Sequence, residues 1–216
     1  MNFKGAIFDL DGVIVNTVPL HFKAWQKMFK EYGKDINFED YKNKVDGIPR
    51  IDGARAILTQ LSSPELEKAA SLKQDYFLEL LNSQGVEVYQ STLELMILLK
   101  KEGIKIAAIS SSKNCLSILR QVKIIDLFKV IITGKDGIKG KPAPDIFLAA
   151  AEKLGLRNEW CVVFEDAVLG VEAAKKAAMK CVGIDRYDNP QRLSKADIVV
   201  SDLSEIGFSE LKGLFL

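Results

Sequence analysis

FKGAIFDLDG, residues 3–12, begins as an apolar strand and ends on two carboxylates, Asp9 and Asp11, followed by Gly12. Charged side chains are seldom buried without a partner. A core strand that ends on paired anions therefore needs something for them to meet. Working outward, IKIAAIS (104–110), KVIITG (129–134), WCVVFED (160–166), KCVGID (180–185) and DIVVSD (197–202) also read as buried strands. Helical patterns at 92–102, 113–122, 144–154 and 168–179 alternate with them. Continuous apolar strands alternating with helices predict an α/β fold with a doubly wound parallel sheet. Ligands of such sheets bind beyond the carboxyl ends of the strands.

One stretch departs from the alternation. From about Thr17 to Gly85 the pattern is helical, with no strand signal. It falls between the first strand and the second, which predicts an inserted α-helical domain with linkers at 12–16 and 85–90. The expected division is a core domain of 1–15 and 87–216 and a helical domain of 16–86.

Composition narrows the function. A chain of 216 residues suits one large α/β domain or a core with an insertion, and 48% hydrophobic residues argue against disorder. Thirty Lys and Arg against 29 Asp and Glu give no broad field for nucleic acid or an acidic membrane. An anionic substrate must then be held by a few placed cations. No early apolar stretch has a secretory pattern, and no run nears the ~20 residues of a membrane span. A cytoplasmic monomer is expected. Cys115, Cys161 and Cys181 are scattered and odd in number, which points away from a disulfide framework or a zinc site.

The strand ends now compare with one another. Asp9 and Asp11 follow the first, Ser110, Ser111 and Ser112 the second, Lys139 and Lys141 the third, Glu165 and Asp166 the fourth. Each has an ordinary reading alone: an Asp-rich turn, a helix start, a loop lysine in KPAP, a helix cap. Parallel topology gathers all four at one edge. Four carboxylates so close repel unless a cation sits among them. A hard oxygen donor set suits Mg²⁺, and the lysine and hydroxyls suit a phosphate.

These four motifs, in this order, resemble the haloacid dehalogenase superfamily of phosphotransferases: Asp9-Leu10-Asp11-Gly12, Ser110, Lys141 in KPAPDIF, and Glu165-Asp166 in FEDA. The resemblance implies a Rossmann-like core of that type. It implies that Asp9 attacks a phosphoryl group to form an aspartyl-phosphate, with Asp11 as general acid and base. It further implies that Asp9, the Asp11 carbonyl and Asp166 bind Mg²⁺, that Glu165 completes or orients that shell, and that Ser110 and Lys141 hold the phosphoryl oxygens.

The insertion resembles the small helical cap of the β-phosphoglucomutase-like branch. Thr17, His21 and Trp25 fall at four-residue spacings on one helix face. Thr17 and His21 match substrate-contacting positions, while Trp25 reads as packing. Arg50 in VDGIPR matches the arginine that grips a substrate's second phosphate, and Ser111, Ser112, Lys113 and Asn114 match its core-side partners. Asp46 stands where a mutase often has lysine, and Asn16 where the family usually has Asp.

The resemblance thus implies Mg²⁺-dependent phosphoryl transfer on a phosphorylated sugar. A β-phosphoglucomutase, converting β-glucose 1-phosphate to glucose 6-phosphate, is the first expectation, because bisphosphate handling needs two anion sites. A sugar-phosphate phosphatase is the alternative, and Asp46 favours it. A non-catalytic phospho-accepting signalling domain fits less well: its acceptor lies on a later strand and it lacks the insertion. A dinucleotide-binding domain lacks its G-x-G-x-x-G here.

Overall fold

The computed structural model describes residues 2–216. Six strands, β1 (Gly5–Asp9), β2 (Lys105–Ile109), β3 (Val130–Ile132), β4 (Cys161–Glu165), β5 (Lys180–Ile184) and β6 (Ile198–Val200), form one sheet in the order β3-β2-β1-β4-β5-β6. Every neighbouring pair is parallel. The six apolar runs of the sequence are these six strands. β1 and β4 are buried along their whole lengths, which is why their sequences do not alternate with polar residues.

Strand order reverses between β1 and β4, the kind of place where α/β sheets bind ligands. Register then aligns the site. Asp9 pairs with Ile109, and Phe8 with Phe164, so Asp9 is level with Glu165 and one position short of Ser110.

The chain forms two compact units: residues up to Asn16 together with Glu87–Leu216, and Thr17–Val86. The second is helical: α1 (Val18–Glu31), α2 (Phe38–Lys44), α3 (Arg50–Ile57) and α4 (Ser63–Gln84). Capping boxes begin α2, through Asn37 and Asp40, and α4, through Ser62 and Glu65. α4 ends on Gly85 at φ 71°, a left-handed conformation in which glycine carries no Cβ penalty. Its own core gathers Trp25, Met28, Phe29, Tyr41, Leu58 and Leu66, so Trp25 is a packing residue.

The first unit carries α5 (Gln90–Lys101), α6 (Cys115–Gln121), α7 (Asp145–Leu154), α8 (Val168–Lys176) and α9 (Phe208–Gly213). α7 lays Ile146, Phe147, Ala150, Ala151 and Leu154 against the sheet, and α8 adds Val171, Ala173 and Ala174. Two helices are shorter than their patterns predict. α6 begins at Cys115 rather than 113, because the Ser112 hydroxyl takes the Asn114 N–H and bends the chain first. α8 stops at Lys176 rather than 179, where Ala178 turns to φ 57°. Among the described residues no helix is long and apolar enough to cross a membrane.

Candidate active site

The turn after β1 is closed by its own backbone. Leu10 N–H donates to Ile109 O (3.0 Å), Gly12 N–H to Val15 O (2.9 Å), and Val15 N–H to Leu10 O (3.0 Å). Gly12 is required twice over. It sits at φ 77°, and a Cβ there would stand 1.9 Å from Asp166 Oδ2. The Asp166 carboxylate therefore lies directly against the backbone of the Asp9–Gly12 motif.

Lys141 reaches between two strand ends. Its ammonium donates to Asp9 Oδ1 (2.6 Å) and pairs closely with Glu165 Oε1. Glu165 is held on its other side by the Ala167 N–H, 2.9 Å from Oε2. It also needs Gly170, where a Cβ would come within 2.0 Å of Oε1. Both Glu165 oxygens are engaged with protein groups. Lys176 donates to Pro142 O (3.1 Å) and tethers the loop that carries Lys141.

Burial and charge pull against each other at Asp9 and Lys141. Burial pushes the Asp9 carboxyl up to about 8; Lys141 pulls against this, while Glu165 and Asp11 add to the rise. Burial works to lower Lys141, but Asp9 and Glu165 overcome it and hold the ammonium above the ordinary lysine range.

Ser110 is buried and donates to Asp11 Oδ2 (3.2 Å) while accepting the Ser112 N–H (3.0 Å). Ser112 O in turn accepts the Gly134 N–H (3.2 Å), and a Cβ at residue 134 would stand 2.2 Å from Ser111 O. That contact draws the ends of β2 and β3 together. Ser111 and Lys113 are exposed and Ser112 and Asn114 partly buried. Asp9, Asp11, Ser110, Lys141, Glu165 and Asp166 thus share one sheet edge, with the 111–114 segment beside Ser110.

The remaining residues singled out in the sequence belong to the helical unit. Thr17 is buried at the N-cap position of α1, and the His21 ring stacks on Phe77 at 4.2 Å. Arg50 opens α3, partly buried, with a long contact to Ala70 O (3.4 Å). Burial lowers its guanidinium against the pull of Asp75. Asp46 accepts the Tyr41 hydroxyl (2.9 Å), which gives this departure a structural place at the end of α2.

Two further residues carry no motif in the sequence and take their place only in the fold. Lys73 is buried on α4, its ammonium 2.7 Å from His21 Nδ1 and 5.0 Å from the centre of the Phe77 ring. Where Lys73 is an ammonium, which can only donate, Nδ1 is the acceptor and the imidazole hydrogen belongs on Nε2. The signal was present: Lys73 interrupts the apolar stripe Leu66, Ala69, Ala70, Phe77, Leu81. Arg186 follows β5 and donates through Nε to Gly12 O (2.9 Å). It stands just beyond the end of β5, outside the four motifs of the resemblance.

Residues 6–184 match the family model described as haloacid dehalogenase-like hydrolase. A β-phosphoglucomutase of Bacillus subtilis is 36% identical over 211 residues, covering 94% of this chain and 91% of that protein. A phosphorylated carbohydrates phosphatase of Thermotoga maritima is 32% identical over 185 residues, covering 82% of each. The crystal structure of β-phosphoglucomutase from Clostridium difficile superimposes with a TM-score of 0.88 at 31% identity, over 99% of this chain and 97% of that one.

Proposed function

The chain belongs to the haloacid dehalogenase-like hydrolases, and we propose that it is a Mg²⁺-dependent β-phosphoglucomutase working through a phosphorylated Asp9. The observation that carries this reading is the Lys141 ammonium on Asp9 Oδ1 at 2.6 Å, with Ser110 bonded to Asp11 at the same edge. A carboxylate beside a fixed cation, next to a second carboxylate and a hydroxyl, has what a nucleophile and its acid–base partner need.

The donor set fits Mg²⁺. Among the described residues no three His, Cys, Asp or Glu side chains form a ready-made cage, but Mg²⁺ commonly takes one or two carboxylates and keeps several waters. Asp9, the Asp11 carbonyl and Asp166 would hold it, and the contact of Asp166 with Gly12 supports that assignment. Glu165, with both oxygens engaged, suits the orienting role rather than that of a ligand. Bound there, the ion would neutralise charge on the transferring phosphoryl group.

In this reading Asp9 attacks phosphorus in line. Asp11 gives its proton to the leaving sugar oxygen and takes one from the incoming hydroxyl, while the Ser110 hydroxyl, bonded to Asp11 in the free protein, turns to the phosphoryl group when substrate binds. Lys141 and Ser110 hold phosphoryl oxygens, and Lys141 keeps Asp9 aimed. In the helical unit, Lys73 fixes the tautomer of His21, so that Nε2 presents a hydrogen to a sugar oxygen, and Thr17 contacts the same sugar. Arg50, with Ser111, Ser112, Lys113 and Asn114, takes the second phosphate.

A sugar-phosphate phosphatase remains the second reading, because relatives of both descriptions match most of the chain. Asp46, its support in the sequence, is occupied by Tyr41. Incubation with β-glucose 1-phosphate, Mg²⁺ and a bisphosphate primer separates the two. The mutase reading expects glucose 6-phosphate in large excess over free phosphate; free phosphate alone overturns it.

A further inference from the structure

The turn that carries Asp11 is held by more than its own backbone. Among residues 10–15, Leu10 O accepts from Ile14 and Val15, Ile14 O from Tyr89, and Val15 O from Gly12. Val13 O accepts the Thr92 hydroxyl (2.8 Å). Gly12 O accepts Arg186 Nε (2.9 Å), the charged donor of this set. Charged hydrogen bonds are shorter and stronger than neutral ones, so the Arg186 contact is well placed to set the direction of the Gly12 carbonyl.

Arg186 is itself fixed. Its guanidinium lies over the Tyr89 ring, 3.8 Å from the centroid. Nη1 has long contacts to Ser201 O (3.4 Å) and Asp202 Oδ2 (3.7 Å), and Asp202 also accepts the Ser91 hydroxyl (2.9 Å). Nη2 is buried with no hydrogen-bond partner. A guanidinium whose fork is half used is not placed there to bind a carboxylate in two-pronged fashion. Its best-made contact is the one to Gly12. Gly12 is also the residue whose bare Cα admits Asp166, so turning its peptide would disturb Asp11 and Asp166 together.

We propose that Arg186, seated on Tyr89, is a positioning residue for phosphoryl transfer: it touches no reacting atom and fixes the Asp11–Gly12 turn through the Gly12 carbonyl. This rests on the functional reading above. Lysine keeps the charge but loses the planar group that stacks on Tyr89 and points Nε at the carbonyl.

The test compares wild type with Arg186→Gln, Arg186→Lys and Tyr89→Leu, well below their melting temperatures. Amide exchange at Gly12, Ile14 and Val15 should quicken about tenfold in Arg186→Gln, while Ala6 to Phe8 in β1 stay protected. Its kcat on β-glucose 1-phosphate should fall about ten- to a hundredfold with KM within about threefold, because the loss falls on transition-state alignment rather than binding. Arg186→Lys should recover part of kcat. Should Arg186→Gln not fold, Tyr89→Leu, which loosens the guanidinium, should show the same pattern in weaker form. A folded variant with wild-type kcat overturns the proposal, whatever its melting temperature or turn exchange. The two failures look different. A wrong functional reading leaves wild type and variants equally inactive while the turn amides still loosen in Arg186→Gln.

Discussion

Two lysines are withdrawn from water, one in each unit, and their surroundings differ. Lys141 sits between the carboxylates of Asp9 and Glu165 at the end of a parallel sheet. Lys73 sits in a helix bundle against an imidazole nitrogen and the Trp25 and Phe77 rings, its ammonium 5.2 and 5.0 Å from their centres. The first answers an excess of negative charge, so removing it leaves buried anions facing one another. Beside the second, the two rings carry no formal charge to be left uncompensated. The two sites therefore differ in kind: carboxylates flank Lys141, while an imidazole nitrogen and two aromatic rings stand beside Lys73.

The largest effect should come from the anion that Lys141 holds. Asp9→Asn should lower turnover by at least about 10⁴-fold, the scale on which loss of a nucleophile is felt. Near-normal steady-state turnover in the purified variant would remove Asp9 from the chemistry.

The comparison itself is broken or sharpened by a matched pair. Lys141→Met should cost about 3–5 kcal/mol, since breaking a buried pair leaves an uncompensated charge. Lys73→Met, close in length and apolar, should shift the melting temperature by no more than a few degrees. Its kcat/KM on a phosphorylated sugar should nevertheless fall about ten- to a hundredfold, as expected for one charged hydrogen bond. Hydrolysis of acetyl phosphate, which has no sugar, should hardly change. Equal melting losses in the two variants would erase the distinction drawn here.

Arg50→Ala extends the argument within the helical unit. Phosphosugar turnover should fall by about one to two decades, with acetyl phosphate hydrolysis nearly unaffected. Equal losses on both substrates would make Arg50 a structural residue.

The smallest effect lies in the core unit, at Asp197 just before β6. Burial works against the Asp197 carboxylate, but Lys175 and the Cys181 N–H outweigh it and hold the carboxyl below its ordinary 3.8. A folded value below the unfolded one means that the stabilisation is present above the unfolded value and is lost as pH falls through the folded one. Melts from about pH 5 to pH 2 should show this slope reduced in Asp197→Asn, with little change near neutrality. An unchanged acid slope would mean that Asp197 gains nothing from its partners.

The core was legible because its strands are buried on both faces. A run such as CVVFE has no other reading between two helical patterns, and the polar residues that end four of these runs stand out for that reason. What sequence could not give was order: nothing in FKGAIFDL says that β1 lies between β2 and β4. Nor could it give partners at long range. Lys141 and Asp9 are 132 residues apart and Arg186 and Gly12 are 174 apart, so no local periodicity joins them. In the helical unit Thr17, His21 and Arg50 stood out only through resemblance, because a helix face with one His and one Arg is ordinary. Lys73 was readable in principle as the single charge on the buried face of α4, and was lost among the other lysines of a charged helix.

Where the phosphoryl group rests is the point on which the rest depends. Wild-type enzyme mixed with labelled acetyl phosphate and Mg²⁺, quenched in acid and digested, should carry the label as an acid-labile acyl phosphate on the peptide containing Asp9, and Asp9→Asn should carry none. Label on another residue, or equal labelling of the variant, would contradict the account.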